Sequence, residues 1–120
     1  MESAIRNRDI VEVSQLITRI VLLKLHESAM EPVALNALID ASYDQLNKVP
    51  GVRRVQVSTA ADTASSASWD LCLMIYFDRI EDVGVYQTHP THVAYVQEVL
   101  APATTFKKAW NFDEKSTPES

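Results

Sequence analysis

Two segments of this chain, Arg19–Leu25 and Leu71–Phe77, are apolar at almost every position, so neither face of either segment suits water. Both are short, bounded by polar or turn-prone residues, and carry β-branched or bulky side chains, which favours strand over helix. Successive strand residues point to opposite faces. Val21, Leu23, Leu71, Leu73 and Ile75 therefore share one face, while Ile20, Leu22, Cys72, Met74 and Tyr76 share the other. If helices cover the first face, the second still needs a cover. Burying four or five such side chains removes about 400 Å² of apolar area, on the order of 10 kcal/mol at about 25 cal/mol per Å² before entropy is subtracted. The same face of a second copy is the simplest cover, so the chain is expected to be a homodimer joined through its sheet faces.

The chain has 120 residues, the length of one domain with a small interior of its own. Residues 1–17 read as a polar N-terminal extension, 18–113 as the folded domain, and 114–120 as a disordered polar tail. His26 to Pro32 reads as a loop, with His26 exposed. Val33, Leu35, Leu38, Ile39, Tyr43 and Leu46 recur at a helical period that stops before the turn pair Pro50-Gly51. Val52–Val57 alternates like a half-exposed strand, and the Ser, Ala and Thr of Ser58–Ser68 read as a mobile loop. A short helix is expected over Ile80–Tyr86, a second from Pro90 to about Leu100, and a last strand over Thr104–Phe112. The order strand, helix, strand, strand, helix, strand predicts an α+β fold, a ferredoxin-like four-stranded antiparallel sheet with helices on one face.

A net charge of −5 and no run of Lys or Arg argue against nucleic acid as a partner, since nothing here displaces phosphate counterions. No apolar stretch approaches the roughly 20 residues of a membrane span, and no signal-peptide core follows Met1-Glu2-Ser3, so a membrane partner is not expected. The single cysteine, Cys72, sits in an apolar run with nothing basic beside it and reads as an inert thiol in a reducing, cytoplasmic setting. The only glycines are Gly51 and Gly84, too few for a phosphate-cradling loop, and no cofactor is expected.

Chemistry concentrates in Tyr86-Gln87-Thr88-His89-Pro90-Thr91-His92, which holds two of the three histidines. Proline fixes φ and lacks an N–H, so Pro90 fits the first position of a helix capped by Thr88 or His89. With His89 as the cap, His92 falls in the first turn, where the helix dipole disfavours added positive charge and a neutral imidazole can act as a base. Tyr86, at the end of the preceding helix, faces the same space. The pair reads as general base and hydroxyl donor, as a buried hydrogen bond stapling two helices, or as a ligand contact without turnover. His89 and His92 lack a third metal ligand at a recognisable spacing, so no metal is expected and His89 reads first as a cap. Arg19 is either an edge charge or a cavity cation, and Phe106 and Trp110 either core or ligand-stacking groups.

The strand Asp70–Phe77, the acidic Glu81-Asp82, Tyr86, His89-Pro90-Thr91-His92 and the closing Asn111-Phe112-Asp113 together resemble the stress-responsive A/B barrel (Dabb) family. Arg19–Leu25 and Val49-Pro50-Gly51-Val52 look like its earlier landmarks, so the resemblance covers residues 18–113. It implies a dimeric α/β barrel whose subunits each hold a cavity between sheet and helices. The family includes stress-related proteins without assigned chemistry and polyketide cyclases similar to the plant olivetolic acid cyclase, whose catalytic tyrosine and histidine fall on Tyr86 and His92. Two further histidines of that cyclase fall on Leu71 and Arg19, where this chain differs. Leu71 removes a polar contact, and Arg19 adds a cation for a carboxylate or phenolate. Arg19, Val21, Leu23, Leu71, Leu73, His89 and Phe106 are the expected ligand-binding positions. The expected function is that of a cofactor-independent acid–base enzyme of cyclase, isomerase or lyase type acting on a small aromatic or polyketide-like compound. The alternative is a non-catalytic stress-responsive dimer or small-ligand binder.

Overall fold

The structure is a computed structural model that describes residues 16–115; the expectations for 1–15 and 116–120 fall outside them. The elements are β1 (Ile17–Leu25), a 3₁₀ turn (Glu27–Met30), α1 (Pro32–Leu46), β2 (Val52–Thr59), a one-turn α2 (Thr63–Ser66), β3 (Leu71–Phe77), α3 (Ile80–Thr88), α4 (Pro90–Tyr95) and β4 (Thr104–Asp113). Between α4 and β4 the helix runs on through a π-helical turn, Val96–Leu100, and a last short piece, α5 (Ala101–Ala103).

The four strands form one antiparallel sheet in the order β2-β3-β1-β4, with β1 paired to both β3 and β4. This is the ferredoxin-like α+β arrangement. The two apolar strands occupy the centre, where both edges are hydrogen-bonded and both faces need cover. Their odd-numbered residues face the helices: Val21, Leu23, Leu71, Leu73, Ile75 and Phe77 are all buried in one core with Leu38 and Leu46 of α1. Pro32 opens α1 at its first turn, where the missing N–H costs no hydrogen bond. Val33 lies off the buried stripe and is exposed, while Ser42, a polar residue, holds a buried position on it.

The small-residue stretch after β2 is more ordered than its composition predicts. Asp62 caps α2 by accepting from the Ser65 N–H at 2.8 Å, and the buried Asp70 then ties the end of the loop to β1. One Asp70 oxygen accepts from the Leu25 N–H at 2.9 Å and the other from Lys24 Nζ at 3.3 Å. Gly51 takes φ +91, which a side chain would strain, and so closes the turn into β2.

Among the described residues, no helix lies over the second sheet face. Ile20, Leu22, Cys72, Met74 and Tyr76 are half-buried there, and β4 sends Phe106, Trp110 and Phe112 to the same side at 60%, 46% and 54% exposure. Phe106 and Trp110 are thus not core in this chain. The register pairs Ile20 with Trp110 and Lys24 with Phe106, which fixes the aromatic phase of β4 on the open face. Trp69 stacks on Phe106 with ring centroids 6.1 Å apart. Leu23 is fully buried on the helix side, so Leu23→Ala is expected to lower the unfolding free energy by about 2–5 kcal/mol. Val85→Ala, at an exposed position, should stay within about 0.5 kcal/mol, both read by urea denaturation.

Candidate active site

The site is built on the break between α3 and α4. A residue before proline is pushed out of the helical region, and His89 sits at φ −66, ψ 136, ending α3 and capping α4. In an unbroken helix the Gln87 carbonyl would accept from the Thr91 N–H four residues on. Here each finds an imidazole instead. The Thr91 N–H donates to His89 Nδ1 at 3.1 Å, and the Gln87 carbonyl accepts from His92 Nδ1 at 3.1 Å. These partners fix opposite tautomers. His89 accepts through Nδ1 and so carries its hydrogen on Nε2; His92 donates through Nδ1, which leaves a lone pair on Nε2.

Tyr86, in the last turn of α3, is almost fully buried, with its ring tilted against that of His92 at a centroid distance of 4.2 Å. Phe77 meets its other side edge-on at 5.1 Å. The Tyr86 hydroxyl makes no hydrogen bond to another of the described residues. Burial raises its pKa well above the usual phenol range, the neighbouring Tyr95 adds to the shift, and Arg19 opposes it. The group stays protonated and can act only as a donor or neutral acceptor near neutral pH.

His92 is half-buried and shifts the other way. Burial is the first cause; Arg19 and Lys107 add repulsion, and the Gln87 carbonyl, which favours the charged ring, opposes them. The imidazole is thereby held neutral. The sequence pointed to the helix dipole, whereas burial and two cations from the sheet account for the shift.

A cavity of about 240 Å³ opens beside these rings, lined by Arg19, Val21, Leu73, Tyr86 and His92, with Gln87, Tyr95, Val96, Lys107 and Ala109 among the other walls. Five of the expected site residues therefore share one space. The remaining four do not line it. Leu23 and Leu71 are sealed in the core because their strand positions lie under the helices, and His89 is spent on capping α4. Phe106 lies on the opposite sheet face, for the reason of register given above.

Tyr95 and Lys107 were missed. Tyr95 stands three residues after His92 on the same helix face, a spacing that offered a signal. Its hydroxyl lies 2.6 Å from Ser42 Oγ, which itself donates to the Leu38 carbonyl at 2.8 Å, so Tyr95 is the donor to Ser42. Burial pushes the Tyr95 phenol up to about 12. Lys107 gave no signal, because its face depends on how β4 pairs with β1.

The profile of the stress-responsive A/B barrel domain, Dabb, matches residues 17–107. This chain belongs to the Dabb family. Among curated proteins it finds no match. Solved structures with the same fold include a Dabb protein of ferredoxin-like fold from Mesorhizobium loti, 18% identical, covering 88% of this chain and 99% of that one at TM-score 0.68. A dimeric ferredoxin-like protein of unknown function from Thermobifida fusca is 19% identical, covering 83% and 92% at TM-score 0.69. The hydroxynitrile lyase of Passiflora edulis is 14% identical, covering 88% and 99% at TM-score 0.73. At these identities the likeness shows the fold.

In this Dabb protein, His92 should titrate below the ordinary imidazole value of 6.5, and Arg19→Gln should move its midpoint upward. Long-range nitrogen–proton NMR should find Nδ1–H on His92 and Nε2–H on His89. Because the folded pKa is depressed, the unfolded chain takes up this proton first as pH falls. The stabilisation is complete above 6.5 and is lost as pH drops from there through the folded value. His92→Gln should therefore flatten the acid side of the stability profile.

Proposed function

We propose that this Dabb protein is an acid–base enzyme that moves a proton on a small, single-ring compound, with His92 as general base and Tyr86 as hydrogen-bond donor. The observation that carries the reading is a neutral imidazole with a committed Nδ1, beside a phenolic hydroxyl, where neither its Nε2 nor that hydroxyl has a hydrogen-bond partner among the described residues and both side chains border one cavity. In the step, His92 Nε2 accepts a proton from a carbon next to a carbonyl, and the electron pair moves onto the carbonyl oxygen. Tyr86 hydrogen-bonds that oxygen, and Arg19 stabilises its charge. Return of the proton to another atom gives an isomerisation; attack of the enolate carbon on a second carbonyl of the same molecule, whose oxygen then takes the proton from His92, closes a ring. Removal of a hydroxyl proton, with cleavage of the adjacent carbon–carbon bond and reprotonation of the departing carbanion, gives a lyase reaction of the kind named for the Passiflora structure.

Size narrows the substrate. A cavity of roughly 150 Å³ is enough for benzene. The 240 Å³ here is room enough for one substituted ring.

The non-catalytic reading has its own support, since rings 4.2 Å apart also staple α3 to α4. Two measurements on Tyr86→Phe and His92→Ala separate the two. The enzyme reading expects cleavage of mandelonitrile or exchange of the acetophenone methyl protons in D2O by the native protein, and at least a hundredfold loss in each variant with little change in Tm. Equal loss of stability in both variants, with no native turnover of either probe, would leave a structural staple or a binding protein.

We infer that the protein works as a homodimer joined through the open sheet faces. The exposed Phe106, Trp110 and Phe112 beside half-buried Met74 and Tyr76 support this, as does the description of the Thermobifida fusca protein as dimeric. Light scattering should give twice the chain mass for the native protein and a single chain for Trp110→Asp combined with Met74→Asp. A native monomer at tens of micromolar would overturn it.

A further inference from the structure

We propose that the cavity selects anionic ligands, single-ring carboxylates above all, with the carboxylate held by Arg19 and Lys107; this rests on the single-ring pocket described above and adds to it the charge of its occupant. Among the described residues, Arg19, Lys107 and His92 are the ionisable side chains on its wall other than the two tyrosines, and no Asp or Glu of these residues lines it. For a chain of net charge −5 this is a local inversion of sign. Neither cation is neutralised by a carboxylate among the described residues: Arg19 donates to the uncharged Asn111 at 3.0 Å, and the ion pairs of these residues leave Lys107 out.

The sheet explains how the two cations come together. Arg19 is on β1 and Lys107 on β4, where Lys107 lies opposite Leu23 and Asn111 opposite Arg19. Four residues of strand separate these two backbone levels, roughly 13 Å at about 3.3 Å per residue, and the two long side chains span that gap from either end to reach the same cavity and the His92 ring. Between them lies Ala109, opposite Val21, too small to fill the space. Val21, Leu73 and Leu100 supply apolar wall for a ring. Apolar walls strengthen the attraction of the half-buried Arg19 for a charge inside, the exposed Lys107 adds a more screened one, and a guanidinium binds a carboxylate through two parallel hydrogen bonds. His92, held neutral, adds a polar atom without competing for the anion.

The test uses benzoate against the neutral benzamide, followed by NMR shifts of the His92 and Tyr86 rings and by calorimetry. Benzoate should bind at least tenfold more tightly than benzamide, and the preference should shrink as salt is raised from 20 to 500 mM. Arg19→Gln combined with Lys107→Gln should abolish the preference. Lys108→Gln should leave it intact, because Lys108 alternates to the open sheet face. Equal affinity for the two probes, or a preference that survives the double substitution, overturns the proposal. His92→Gln separates this inference from the catalytic one. Anion preference kept without turnover in the native protein would retire the enzyme and leave the anion site; turnover of neutral probes without any preference would do the reverse.

Discussion

The site depends on a helix interruption that leaves the two ends of one backbone hydrogen bond open, each closed by an imidazole. Pro90 brings no N–H and forces His89 into an extended conformation, so the backbone pair between Gln87 and Thr91 is not made. The half-buried Thr91 N–H left unpaired would cost on the order of 1–3 kcal/mol, while at the exposed Gln87 the carbonyl takes the His92 N–H in place of water. His89 takes the N–H and His92 takes the carbonyl. The same economy that repairs the backbone orients His92 and chooses its tautomer. A ring position that a catalytic base requires is thus fixed by ordinary helix-end chemistry.

The cavity has a different origin, in uneven cover of the sheet. Helix α1 places Leu38 and Leu46 in the core and packs against β2. On the other half, β4 turns Lys107, Ala109 and Asn111 toward the helices, and none of these is a bulky apolar residue. The helical chain above them is loosened into a π turn at Val96–Leu100, which is itself part of the wall through Val96 and Leu100. Space therefore remains beside His92 and Tyr86. Burial of the surrounding rings then acts on both groups at once, raising the phenol and lowering the imidazole, so each is held neutral.

Legibility in the sequence followed the range of the forces involved. The central strands could be read because Arg19–Leu25 and Leu71–Phe77 carry apolar residues in both phases, and no local alternative accommodates that pattern. The cap at His89 could be read because proline acts on its immediate neighbour. Ser58–Ser68 was misread because small polar residues give no hydrophobic period, whereas its order comes from Asp62 and from Asp70 reaching to β1. Phe106 was misplaced for the opposite reason. The aromatic phase of β4 resembles a core phase, yet pairing with β1 turns it to the open face and leaves Lys107 and Ala109 at the cavity.

By itself the sequence determined a ferredoxin-like α+β chain, two strands with a second face in need of cover, and a Tyr–His pair astride a proline, and its motif residues carried the resemblance to the Dabb family. The strands and the pair follow from side-chain periodicity and from proline geometry, which act over a few residues. The tertiary structure alone decided which candidates share the cavity, that Leu23 and Leu71 seal the core, and that Arg19 and Lys107 converge on His92. A strand shifted by one residue exchanges its faces, and register is set by partners far away in the chain.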